Sequence, residues 1–190
     1  MVEAADSDAA LMRRYAAGDA RAFEVLYLRH EMKVWRYLYR SVCNQATADE
    51  LMQDVWFAVA QSASRYEPSA RFTTWLFTLA HHRLVDRHRK AKSRGHTELP
   101  LEGVERVIEQ VAAAASADPL WQVQSKQSAD ALIAAVEQLP AEQRDAFLLQ
   151  AEGEMSVEEI AAATGAGFEA IKSRLRYARL KLKQALREHV

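Results

Sequence analysis

Apolar residues recur at steps of three and four along almost the whole of this chain, and strand-like alternation does not appear. That period permits helices and little else. The breakers agree, with only six glycines and four prolines in 190 residues, so few places interrupt a helix. The expected fold class is all-α. The periodic segments fall into two groups, which predicts two small helical domains, 1–94 and 127–190. A flexible acidic linker, 95–126, joins them. It holds Gly95, Pro100, Gly103 and Pro119 among Glu98, Glu102, Glu105, Glu109 and Asp118, with one short helix expected at 103–114 and Leu120 and Trp121 available to dock.

In the first domain, helices are expected over Asp8–Ala17 (ended by Gly18), from Asp19 through Val42, over ADELMQDVWFAVAQSASR, and from Phe72 or Thr73 onward. Thr47 and Glu50 have capping-box spacing for the third. In the second domain, one helix stops at Leu139 before Pro140, and the next runs from Ala141 to Ala151. Ser156 with Glu159 then caps the short helix VEEIAAAT. Gly165 and Gly167 mark a turn, and Phe168 or Glu169 opens the last helix. Ile171, Leu175, Ala178, Leu182 and Ala185 share one side of it. Lys172, Arg174, Arg176, Arg179, Lys181 and Lys183 occupy the others. A short helix, a tight turn and a basic amphipathic helix form a helix-turn-helix signature.

Charge narrows the function. The formal net charge is only −1, but it is segregated. Arg71–Arg94 carries seven Lys/Arg against Asp86 alone, and Lys172–Arg187 carries seven against none. The rest of the chain has 11 basic and 25 acidic residues. Two cationic stripes in an acidic protein favour a polyanionic partner, nucleic acid above all. The first stripe follows aromatics, FTTWLF. Stacking surface beside cations suits a base drawn from its duplex, with Phe72, Trp75 and Phe77 as wall and Arg83, Arg87, Arg89 and Lys90 on phosphates. Phe72 and Trp75 serve equally well as core. On the last helix, Lys172, Ser173, Arg176 and Tyr177 lie near the N-terminus, where base edges are read, and Arg179 and Lys183 further along meet phosphate.

Other classes find less support. The histidines are scattered, and no His/Cys/Asp set has ligand spacing. No glycine-rich phosphate loop occurs, so neither enzyme nor cofactor is expected. Cys43 is alone, which excludes an internal disulfide and makes the cytoplasm the default location. MVEAADSDAA lacks the basic head and apolar run of a signal peptide, and charge interrupts every apolar segment too early for membrane insertion.

Taken in order, these segments resemble a bacterial RNA polymerase sigma factor of the extracytoplasmic-function group of the sigma-70 family. GDARAFEVLYLRHEMKVWRYLY is similar to the opening helix pair, and ADELMQDVWFAVAQSASRY to the core-binding segment. There the acidic pair, hydrophobic pair, Gln and acid are Asp49, Glu50, Leu51, Met52, Gln53 and Asp54, with Trp56 close to the side that Asp49 and Gln53 share. FTTWLFTLAHHRLVDRHRK resembles the helix that reads and melts the −10 element, which adds His81 and His82 near the DNA strand. QLPAEQRDAFLLQAEGEMSVEEIAAATGAGFEAIKSRLRYARLKLKQAL resembles the −35-reading domain. The resemblance implies core RNA polymerase and promoter DNA as partners. It also implies an anti-sigma protein, in this group often membrane-bound. The alternative is a helix-turn-helix regulator that binds DNA without polymerase. Leu175-Arg176-Tyr177-Ala178-Arg179 exchanges the aromatic and basic positions of the usual recognition helix. That exchange bears on −35 preference.

Overall fold

The computed structural model describes residues 6–67, 70–93 and 130–188, without the side chains of 92 and 188. The described residues form helices α1 (Asp8–Ala16), α2 (Ala20–Val42), α3 (Gln45–Ser62), α4 (Phe72–Ser93), α5 (Ala141–Ala151), α6 (Val157–Thr164) and α7 (Phe168–Glu188). A 3-10 turn, Ala63–Arg65, follows α3, and residues 130–137 are helical ahead of Pro140. The chain is all-α in two helical regions, as its periodicity requires. The expected helix at 103–114 and the docking of Leu120 and Trp121 lie outside the described residues.

Local chemistry sets most helix ends. Ser7 Oγ accepts from the Ala10 amide at the start of α1, and Asp19 accepts from the Arg21 amide at the start of α2. α2 stops where Cys43 turns left-handed, with φ 52°. Asn44 then caps α3, its Oδ1 accepting from the Thr47 amide at 2.9 Å. This corrects the expected Thr47–Glu50 cap. After the left-handed residue and the extended Asn44, the helix begins at Gln45, two positions before Thr47, which leaves Thr47 inside α3. Ser156 and Glu159 form a complete capping box on α6. Gly165 ends α6 at φ 69°, a conformation costly to a side chain.

The N-terminal helices pack around α2, which touches α1, α3 and α4. Met12, Leu26, Val34, Leu38, Val55, Val59 and Leu76 are sealed inside. In the C-terminal group, α5 and α6 pack on α7. Ile171, Leu175, Ala178 and Leu182 are buried there, which is the inward face their spacing requires. The two groups also touch each other. α5 lies on α2, and α6 meets α4, so Leu148, Leu149 and Met155 join the core that Tyr37 and Phe77 supply.

Candidate nucleic-acid interface

α7 presents its charge to solvent. Lys172, Ser173, Arg176, Tyr177, Arg179 and Lys183 are all exposed, while Leu175, Ala178 and Leu182 between them anchor the helix. Lys172 pairs with Glu169 at 3.1 Å and lies over the Phe168 ring. Arg179 donates to Gln150 Oε1, which ties the middle of α7 to α5. Arg174 is half-buried and bonded to Glu142, so it braces the helix-turn-helix rather than facing outward. The result is a cationic ridge of the width a major groove admits. Leu180, 61 % exposed, interrupts that ridge. Its apolar character in a charged row was the one signal available in the sequence.

α4 is arranged differently. Phe72 is 4 % exposed, wedged among His30, Tyr66 and Trp75. Of the two readings open for it, the structure places it in the core, and Phe77, expected at the same wall, is buried against Tyr37. Trp75 is half-buried, edge-on to Tyr66 at 5.0 Å between centroids. Trp75 and Tyr66 are thus the aromatics of this cluster that both pack and reach the surface. His81 is buried, its Nδ1 3.1 Å from Asp145 Oδ2. His82, Arg89 and Lys90 are exposed and Arg83 is half-buried. Arg87 donates to Glu50 Oε2 at 2.9 Å and to Thr47 Oγ1 at 3.0 Å, clasping α4 to α3.

α3 turns an acidic and amide-rich face outward. Asp49, Glu50, Gln53 and Asp54 are exposed. Trp35 Nε1 donates to Asp49 at 2.9 Å and fixes that carboxylate. Leu51, Met52 and Trp56, expected at the same surface, are instead 2, 7 and 5 % exposed. Trp56 packs on Phe23 and Tyr27 at centroid distances of 5.7 and 5.0 Å. The reason is geometric, since α3 is packed between α2 and α4 and these three residues are on its covered side. Phe57, one position on, is 65 % exposed beside Asp54 and went unnoticed in the sequence.

Buried charges are matched. Asp8 accepts from His30 Nε2 at 2.9 Å and from Arg29. Burial alone would raise its carboxyl pKa, but these two partners outweigh burial and hold it below the ordinary carboxylate value. Burial likewise raises the Tyr37 hydroxyl far above its usual range, keeping it a neutral donor to Asp145 at 2.8 Å. Among the described residues no cluster of His, Cys, Asp or Glu is arranged to hold a metal ion. None of their helices is long and apolar enough to cross a membrane.

Two family models match the chain, Sigma-70 region 2 over residues 26–94 and Sigma-70, region 4 over residues 129–182. The RNA polymerase sigma factor CarQ of Myxococcus xanthus is 33 % identical over 186 residues, covering 93 % of this chain and 96 % of that protein. The ECF RNA polymerase sigma factor SigM of Mycobacterium tuberculosis is 29 % identical over 180 residues, 95 % of this chain and 85 % of that one. The fold is similar to that of the sigma factor RpoE from Bartonella quintana, solved in complex with the anti-sigma factor NepR. The TM-score is 0.67 at 22 % identity, over 88 % of this chain and 98 % of that one.

Proposed function

Since this chain belongs to the extracytoplasmic-function group of sigma-70 factors, which direct RNA polymerase to promoters and are not enzymes, we propose how its surfaces divide that work. The exposed ridge of α7 reads the −35 element. Lys172, Ser173, Arg176 and Tyr177 approach base edges, and Arg179 and Lys183 hold phosphates. The basic end of α4 follows the −10 strand through His82, Arg83, Arg87, Arg89 and Lys90. Trp75, with Tyr66 beside it, offers the stacking face for an unpaired base. Phe72 supports that face from the core, and His81 contributes only if its contact with Asp145 is given up. The α3 face built from Asp49, Glu50, Gln53 and Asp54 binds core polymerase, and Leu51, Met52 and Trp56 hold it rigid from behind.

The observation that carries this division is a single chain with two separate cationic helices and an acidic helix face that precedes both in sequence. A regulator acting without polymerase needs the helix-turn-helix but not that acidic face. The cytoplasm, where polymerase and promoters are, is the location this reading requires. An anti-sigma protein, of the kind named in the Bartonella complex and in this group often membrane-bound, is the partner that would restrain it.

Run-off transcription with purified core polymerase tests the assignment. Initiation at a cognate promoter requires both the chain and core, and the chain alone binds the duplex weakly. Tight operator-like binding by the chain alone, with no core-dependent transcript, refutes it.

A further inference from the structure

Leu180 is the residue of the α7 ridge that charge does not explain. Among the described residues of the C-terminal group it is more open than the other exposed large apolar side chains, Leu132, Phe168 and Tyr177. The inward face is already filled, by Ile171, Leu175, Ala178 and Leu182. At about 100° per residue, Leu180 points to the opposite side of the helix. It stands one turn beyond Arg176 and Tyr177 and one turn before Lys183, and Ser173 lies on the same line two turns earlier. All four of these neighbours are exposed. The Tyr177 ring already carries a cation, with the Arg176 guanidinium 6.0 Å from its centroid. Leu180 is the bare apolar spot beside them.

A single leucine at a surface is common and by itself calls for no function. This one is informative because it lies on the side of α7 proposed to enter the major groove. The floor of that groove presents hydrogen-bond donors and acceptors at every base pair, and one kind of apolar group, the C5-methyl of thymine. Leucine can neither donate nor accept. Against N7 or O6 of guanine, N6 of adenine or N4 of cytosine, it takes water from a polar edge and returns no bond, which costs free energy. Against a thymine methyl it withdraws apolar surface from water on both sides. One side chain therefore favours one base and disfavours the other three. Cations held on phosphates, as proposed for Arg179 and Lys183, read no sequence.

The spacing adds a register. Arg176 is one turn towards the N-terminus, about 6 Å along the axis. That distance covers about two base-pair steps. Arginine suits O6 and N7 of guanine. The two residues together specify a guanine and a thymine about two base pairs apart.

We infer that Leu180 is a specificity-determining residue that reads the methyl group of a thymine in the −35 element. This rests on the assignment of α7 to that element. It extends base reading one turn beyond Arg176 and Tyr177, with an apolar contact in place of a hydrogen bond.

The test uses holoenzyme, assembled from the full chain and core polymerase, selected on promoter duplexes randomised across the −35 region. Recovered sites should carry a thymine about two base pairs from a guanine. Replacing that thymine by deoxyuridine deletes the methyl and nothing else. It should weaken wild-type binding about fourfold, the size expected for one buried CH2-sized group. Leu180→Ala should bind the thymine and uridine duplexes alike, and Leu180→Met should keep the preference. Ala and Met both suit an exposed helix position, so both variants fold. Equal binding of the two duplexes by wild-type holoenzyme overturns the proposal. So does a methyl preference that survives in Leu180→Ala. A Leu180→Ala defect that falls on affinity for core polymerase, with the methyl preference intact, overturns it by making Leu180 a protein contact. A selected −35 pattern left unchanged by Lys172→Ala and Arg176→Ala contradicts the assignment of α7 itself, and is distinguishable because the methyl group plays no part in it.

Discussion

α4 and α7 lie in stretches with the same number of Lys and Arg, yet they spend that charge differently. Every proposed DNA contact on α7 is exposed, and its apolar face is closed over by α5 and α6. On α4, Phe72 and His81 are buried, Arg87 is clasped by α3, and the N-terminal turn meets α6. α7 is an exposed ridge, which suits its proposed docking on intact duplex. α4 is embedded in its own domain, which suits its proposed role in holding strands already separated. Equal formal charge therefore describes two unequal surfaces. Burial and pairing decide which cations are available.

The comparison breaks most readily at Phe72. Phe72→Ala removes a core ring and should destabilise the N-terminal region by about 3–5 kcal/mol, read from the urea midpoint. A neutral effect would return Phe72 to the DNA wall. Replacing Lys172, Arg176 and Arg179 by Ala should leave the melting unchanged. It should weaken −35 duplex binding by holoenzyme about 100-fold and lower the salt slope by about 2–3. Trp75→Ala is expected between these extremes, with about 1–3 kcal/mol lost at strand opening and a smaller loss in fold stability. If opening by permanganate reactivity is untouched, Trp75 is only packing.

Smaller effects sharpen the same contrast. Arg87→Ala gives up an exposed pair to Glu50 and should change stability by less than about 1 kcal/mol, while slowing promoter opening. The contact between the two helical groups should also respond to acid. Burial alone would raise Glu159, but hydrogen bonds from the Ser156 amide, Thr74 and Arg71 leave it below 4.5, and the hydrogen bond and charge of Lys33 lower Glu154. Groups with depressed folded-state values stabilise above their unfolded value and lose that contribution as pH falls through the folded one. The separation of dyes at His82→Cys and Tyr177→Cys, in a Cys43→Ser background, should hold between pH 7 and 5 and lengthen below about 4.5. Lengthening as pH rises from 5 to 7 would contradict this.

What could be read from the sequence was what local rules govern. The Ser156–Glu159 cap, the Gly165 turn and the inward face of α7 depend on residues within one or two turns, and they stand where spacing puts them. The burial of Leu51, Met52 and Trp56 was not legible because it depends on distant partners, as Trp56 shows by packing on Phe23 and Tyr27. Asn44 took the cap from Thr47 because a left-handed Cys43 fixed where α3 begins. The pairing of Glu152 with Arg36 and Arg40 joins residues more than 100 positions apart. In a sequence, Arg36, Arg40 and Glu152 are three ordinary surface charges.

Tethered cleavage in the complex of chain, core and promoter tests the central claim most directly. A hydroxyl-radical reagent is attached singly at Tyr177→Cys or His82→Cys, each in a Cys43→Ser background. Cuts are expected in two windows about 25 base pairs apart, around −35 from position 177 and around −10 from position 82. Cuts from both positions within one shared window would contradict it.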